Sequence, residues 1–193
     1  MLRLFLDHGF TAERPRKPAA FWRNMGAVAG LVVTALLGAV SLAQAAAPEG
    51  KIGRMLALVN TARAESGLAA LTLEPRLMLA ACRHAQDLAQ GGPLSHRGRD
   101  GSDVSDRVLG SGYNFAMAAE NLAAGVPTPD ETVWLWLGSP GHRRNILTAE
   151  FDHAGIANIA KGDVWVLVFG RIGTDRLSRP VEKPGQQGMV NGC

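Results

Sequence analysis

Three short segments set an ionisable side chain among small, turn-forming neighbours: Ser95-His96-Arg97-Gly98, Ala119-Glu120-Asn121-Leu122 and Ser139-Pro140-Gly141-His142-Arg143-Arg144-Asn145. Imidazole changes charge near neutral pH and carboxylate is anionic there, so such positions suit proton exchange or ligand capture. Taken singly, each is more often a solvated loop residue than a site. The stronger templates are missing from the sequence: there is no H-E-x-x-H, paired C-x-x-C, G-x-S-x-G elbow or phosphate-cradling loop.

The elements that must carry these segments follow from apolar spacing. Met55, Leu56 and Val59 recur at helical intervals over 52–63, closing near Gly67. Pro75 opens a second helix, through Leu77, Ala81, Ala85 and Leu88 to Gly91-Gly92. Ser102 or Asp103 caps a short third helix ending at Gly110 or Gly112. Between Asn114 and Gly125 the apolar run is interrupted by Glu120-Asn121, which reads as a short extended piece followed by a loop. Thr128-Pro129-Asp130-Glu131 caps a helix through Trp134 and Leu137, and Ser139-Pro140 starts another helical turn carrying His142. Trp134 and Trp136, two apart, cannot share a helix face, so one packs inward and the other faces outward. Residues 154–160 and 164–169 read as strands joined by the tight turn Lys161-Gly162-Asp163. Helices before and between a few antiparallel strands indicate an α+β domain with its sheet covered by helices.

The chain has 193 residues and a formal charge of +3. Residues 1–45 read as a signal peptide: Arg14, Arg16, Lys17 and Arg23 precede an uncharged apolar stretch over 25–43, and Ala43-Gln44-Ala45 offers the small residues a signal peptidase requires. The alternative is an uncleaved membrane anchor through 25–43, since 19 residues just reach across a bilayer. The leader carries 5 of the 20 Lys/Arg and 2 of the 17 Asp/Glu, leaving 15 of each sign in the remainder. A formally neutral domain gives no support for nucleic-acid or anionic-membrane binding. After a short linker, 46–51, the folded domain is expected over 52–173, with a flexible polar tail over 174–193. Cys82 and Cys193 are the only thiols. Cys82 shares a helical face with Met78, Ala81, Ala85 and Ala89, which favours a free buried thiol over a disulfide to Cys193. His84, with Ala80, Ala81 and Leu88 as helical neighbours, reads as a partly exposed helix residue, and His153 as a surface residue.

In order along the chain, the segments resemble the CAP superfamily (cysteine-rich secretory, antigen 5 and pathogenesis-related proteins, the SCP domain) in its short bacterial form. The resemblance rests on Leu58-Val59-Asn60-Thr61-Ala62-Arg63 with Gly67-Leu68 and Leu71; on Ser95-His96, Asp100-Gly101-Ser102, Asp106-Arg107 and Gly112-Tyr113; and on Ala119-Glu120-Asn121-Leu122-Ala123, the run from Trp136 to Leu147, and Gly155-Ile156-Ala157. It runs from about Ile52 to Arg171. The resemblance implies an α-β-α sandwich with a central, largely antiparallel sheet, and a cleft lined by two histidines and two acids. His96, Glu120 and His142 match three of these positions, while Ser139 stands where fuller members carry the second glutamate.

Two imidazoles and one carboxylate can hold zinc or another divalent cation with water in an open position. The expectation is therefore an exported binding module whose His96/Glu120/His142 cleft, lined by Ser95, Asn121, Ser139 and Asn145, takes a divalent cation or small ligand without turnover. The alternative is a metal-assisted hydrolase with Glu120 as base, which leaves only two protein ligands for the metal. A third reading is a structural cluster in which the three residues hydrogen-bond loops together. The partner is expected to be a small ligand or extracellular molecule, the protein a monomer, and the location secreted or periplasmic.

Overall fold

The computed structural model describes residues 4–5 and 50–173. Of the expected leader only Leu4–Phe5 are described, paired with Ala118–Ala119; the rest of it, the tail over 174–193 and Cys193 lie outside the described residues. No helix among the described residues is long and apolar enough to cross a membrane.

The elements run β1 (Leu4–Phe5), α1 (Gly50–Glu65), β2 (Thr72–Leu73), α2 (Pro75–Leu88), α3 (Val104–Gly110), β3 (Phe115–Ala123), α4 (Pro129–Gly138), α5 (Pro140–Ile146), β4 (His153–Ile159) and β5 (Val164–Ile172). The sheet order is β1-β3-β5-β4-β2. Its three longest strands pair antiparallel, β3 with β5 and β5 with β4, whereas two-residue β1 and β2 add parallel at the edges. The β4–β5 turn needs left-handed backbone at Gly162 and Asp163, with φ of 81° and 44°, as a tight hairpin demands.

Alternation along β5 splits the interior into two layers, because successive side chains leave a strand on opposite faces. Val164, Val166 and Val168 join Leu77, Ala81 and Ala85 of α2 and Val104 and Val108 of α3. Trp165, Leu167 and Phe169 join Met55 and Val59 of α1 with Val133 and Trp136 of α4. The result is the expected helix–sheet–helix sandwich. On the first face α2 lies directly on β4, so that a Cβ at Gly155 would meet the Leu77 carbonyl carbon at 2.1 Å.

Local chemistry sets the element ends. Pro75 and Pro129 occupy first-turn positions where a missing N–H is harmless, and Thr128 accepts from the Glu131 amide to cap α4. Asp103 and Asp106 form a reciprocal capping box at α3.

Three expectations need correction. Residues 115–123 form one unbroken strand rather than an extended piece and a loop, because the polar pair that interrupts the apolar pattern finds its partners inside. His84 is buried, at 1% exposure, not partly exposed: its small neighbours let the sheet approach closely. Cys82 is buried as expected but disulfide-bonded rather than free; a helical face reports burial and says nothing about a distant thiol.

Candidate functional site

Glu120 lies mid-strand in β3 and faces the α2/α3 layer with a side chain of 0% exposure. Two cationic or polarisable partners reach it there. Arg107, from α3, donates from Nη2 to both carboxylate oxygens, at 3.1 Å to Oε1 and 2.9 Å to Oε2. The Nδ1–H of His96 donates to Oε1 at 2.8 Å; the carboxylate can only accept, so Nδ1 carries a proton and, in the neutral ring, Nε2 is the open acceptor of a side chain that is 18% exposed.

The loop carrying His96 is tied down from two sides. Arg107 also donates to the His96 carbonyl at 3.1 Å and, through Nη1, to the Ser102 carbonyl at 2.9 Å. From α2, His84 donates through Nε2 to the Ser95 carbonyl at 2.9 Å, which places that nitrogen 3.8 Å from Glu120 Oε1. The Nδ1 of His84 is buried without a protein hydrogen bond.

Electrostatics follow from burial and partners. Burial pushes the Glu120 carboxyl up, but the His96 hydrogen bond and the Arg107 charge outweigh it and hold the acid below its ordinary value. Burial lowers His84 despite the facing carboxylate, keeping it neutral.

Asn121, the next residue, faces the opposite layer. It accepts from Asn145 Nδ2 of α5 at 2.9 Å and donates to the His142 carbonyl at 3.1 Å, while Asn145 also reaches the Glu120 carbonyl at 3.3 Å. The two histidines of the candidate site are thus anchored to consecutive residues of one strand, His96 through its ring and His142 through its main chain. The His142 ring is half-buried and tilted against Trp136, with centroids 6.5 Å apart. Trp136 is the inward tryptophan, donating to the Leu122 carbonyl at 3.0 Å, and Trp134 is the exposed one.

Of the expected cleft-lining residues, Ser95 and Ser139 are half-buried, but Asn121 and Asn145 are not surface groups: they are 0% and 2% exposed and form the internal tether. An open depression of about 290 Å³ borders the His96 loop, lined by Asp87, Ser95, Arg97 and Arg99 among others, and none of His96, Glu120 and His142 lines it. His153 accepts or donates through Nδ1 to the buried Tyr113 hydroxyl at 2.8 Å, away from Glu120; burial first, then Glu74, pushes that phenol up to about 12.

Sequence reasoning misses Arg107 and His84 as partners of the acid. Arg107 stands in the matched Asp106-Arg107 pair, and its 11- and 13-residue separations from His96 and Glu120 carry no local signature. His84 stands three and four residues after the buried Ala81 and Ala80, so its helical position is compatible with the core face even though its residue type favours exposure.

The metal set fits poorly. Among the described residues no group of three or more His, Cys, Asp or Glu side chains is placed to hold an ion. Both oxygens of Glu120 already accept hydrogen bonds, one of them two, in a carboxylate with no exposed surface.

This three-layer fold, with an acid-anchored histidine on the α2/α3 side of β3, is of the SCP type. The chain matches the cysteine-rich secretory protein family, CAP, over residues 56–169, and it belongs to that family. It is 31% identical over 116 residues to an uncharacterized Bacillus subtilis protein, YkwD, covering 60% of this chain and 45% of that one. The fold is similar to that of an extracellular SCP-domain protein from Bacillus anthracis, with a TM-score of 0.58, 25% identity, and 61% and 39% of the two chains covered. It is also similar to that of an outer surface protein from Borrelia burgdorferi, with a TM-score of 0.58, 21% identity, and 64% and 93% covered. The chain spans less than half the length of the two Bacillus relatives.

Proposed function

We propose that this CAP-family chain is an exported binding module that takes a small ligand at His96 without turning it over. The leader pattern over 1–45 and the extracellular description of the Bacillus anthracis relative support export. The observation that carries the binding reading is the 2.8 Å bond from His96 Nδ1 to Glu120, which orients the ring and leaves Nε2 as an acceptor at the surface.

A general acid–base group needs a reacting partner within hydrogen-bond reach. Glu120 is committed to Arg107 and His96, and Ser139 stands in the position of the second acid, so the cluster offers orientation more readily than proton shuttling. The structural reading is favoured by one observation: the Glu120 carboxylate is satisfied entirely from within the fold.

Thermal shift with a panel of monosaccharides, amides and short peptides, with zinc chloride as a separate arm, tests the proposal. Stabilisation by one class that disappears in His96→Ala is the expected outcome. Turnover of ester, peptide or glycan substrates that vanishes in His96→Ala would replace it with a hydrolase. No shift from any compound, with normal folding of both proteins, leaves the structural role.

A further inference from the structure

We propose that Arg107 is the resident cation of the Glu120 cluster and excludes a divalent metal from that carboxylate. This deepens the binding reading, on which it rests only for its consequence: a ligand at this site meets an imidazole acceptor backed by an internally neutralised acid. It is therefore an uncharged hydrogen-bond donor, a hydroxyl or amide compound.

The argument starts with the valence of the carboxylate. An ionised glutamate offers about four lone-pair directions, and three are taken: Oε1 by His96 Nδ1–H and Arg107, Oε2 by Arg107. Nor is the guanidinium free to leave. Nη1 is fixed on the Ser102 carbonyl and Nη2 also on the His96 carbonyl, so displacing Arg107 breaks the capping loop of α3 and the anchor of the His96 loop together.

Charge points the same way. A divalent ion on Glu120 would sit within a few ångströms of the guanidinium in a region with no exposed carboxylate surface, where like charges are weakly screened. Moving Arg107 aside instead strands a buried cation. Zinc ligation would thus have to offset either the repulsion of a guanidinium left in place or, if it is displaced, the loss of the four hydrogen bonds it makes.

Zinc chloride alone is the probe, read at the carboxyl carbon of Glu120 in protein carrying ¹³C-labelled glutamate side chains. In the parent that resonance is expected to stay in place up to saturating zinc, whatever zinc does at surface histidines. In Arg107→Met, zinc affinity should rise about tenfold or more, the Glu120 resonance should move with it, and adding Glu120→Gln should remove the gain. Movement of the parent resonance overturns the proposal, as does a folded Arg107→Met protein in which Glu120 still ignores zinc. Should Arg107→Met not fold, the parent spectrum alone decides. Failure of the small-ligand screen leaves this result untouched, because that screen reads global unfolding and this test reads one carboxyl carbon.

Discussion

Arg107 Nη2 bridges the two oxygens of Glu120 at 3.1 and 2.9 Å in the interior between α3 and the sheet. Breaking a buried pair from one side strands the other charge, so Arg107→Met should cost about 3–5 kcal/mol in urea unfolding. Removing both charges in Arg107→Met/Glu120→Gln should recover part of that loss. A single variant that unfolds at the parent's midpoint would show that the pair contributes nothing to the fold.

Stability should fall in two steps on acidification. His84 is held below its ordinary 6.5, so the unfolded chain takes up a proton there first and the folded state loses ground as pH drops from about 6.5, at up to about 1.4 kcal/mol per pH unit. Glu120 is also held below its ordinary 4.5, so its contribution is complete above that value and is lost as pH falls through its folded value. His84→Gln keeps a donor for Ser95 without titrating near 6.5. Denaturant midpoints at about pH 7.5, 6 and 5 should flatten across the upper step in that variant alone.

Arg63 is fully buried on α1 and donates to four carbonyls, Ala69, Ile146, Thr148 and Phe151, at 2.8 to 3.1 Å. Arg63→Met leaves these acceptors unpaired and should cost about 3 kcal/mol or more. Arg63→Lys recovers little, because an ammonium lacks the planar fork. Amide exchange over 147–151, the segment after the histidine-bearing α5, should accelerate before global unfolding.

Gly155→Ala tests the closeness of α2 to β4. Its new Cβ would lie 2.2 Å from the Leu77 carbonyl oxygen and 2.5 Å from the Met78 nitrogen, both main chain and unable to rotate away. A loss of about 3 kcal/mol is expected in thermal or urea unfolding, against a small change for Gly138→Ala, whose surroundings are open.

The helix starts are legible in the sequence because each rests on a local signal: Pro75, Asp103, Thr128-Pro129 and Ser139-Pro140 all open the helices expected of them. The β4–β5 hairpin is legible for the same reason, through Gly162-Asp163. β3 is harder to read, since Glu120 and Asn121 look like a break until Arg107 and Asn145, 13 and 24 residues away, supply their partners. The site divides likewise. His96 is legible from its turn-forming neighbours, and Glu120 from its order along the chain alone, since its neighbours form a strand. Arg107 and His84 are not, because a buried charge or imidazole is recognised by what surrounds it in space. Asn121 and Asn145 mislead in the other direction, being polar residues of site motifs that serve as internal ties.

Adjacent residues of β3 serve different floors of the same building: the carboxylate at 120 holds the lower helical storey, the amide at 121 the upper. A shift of β3 by a single residue would exchange those attachments and release both histidine-bearing segments at once, so the register of the strand and the assembly of the site depend on one another.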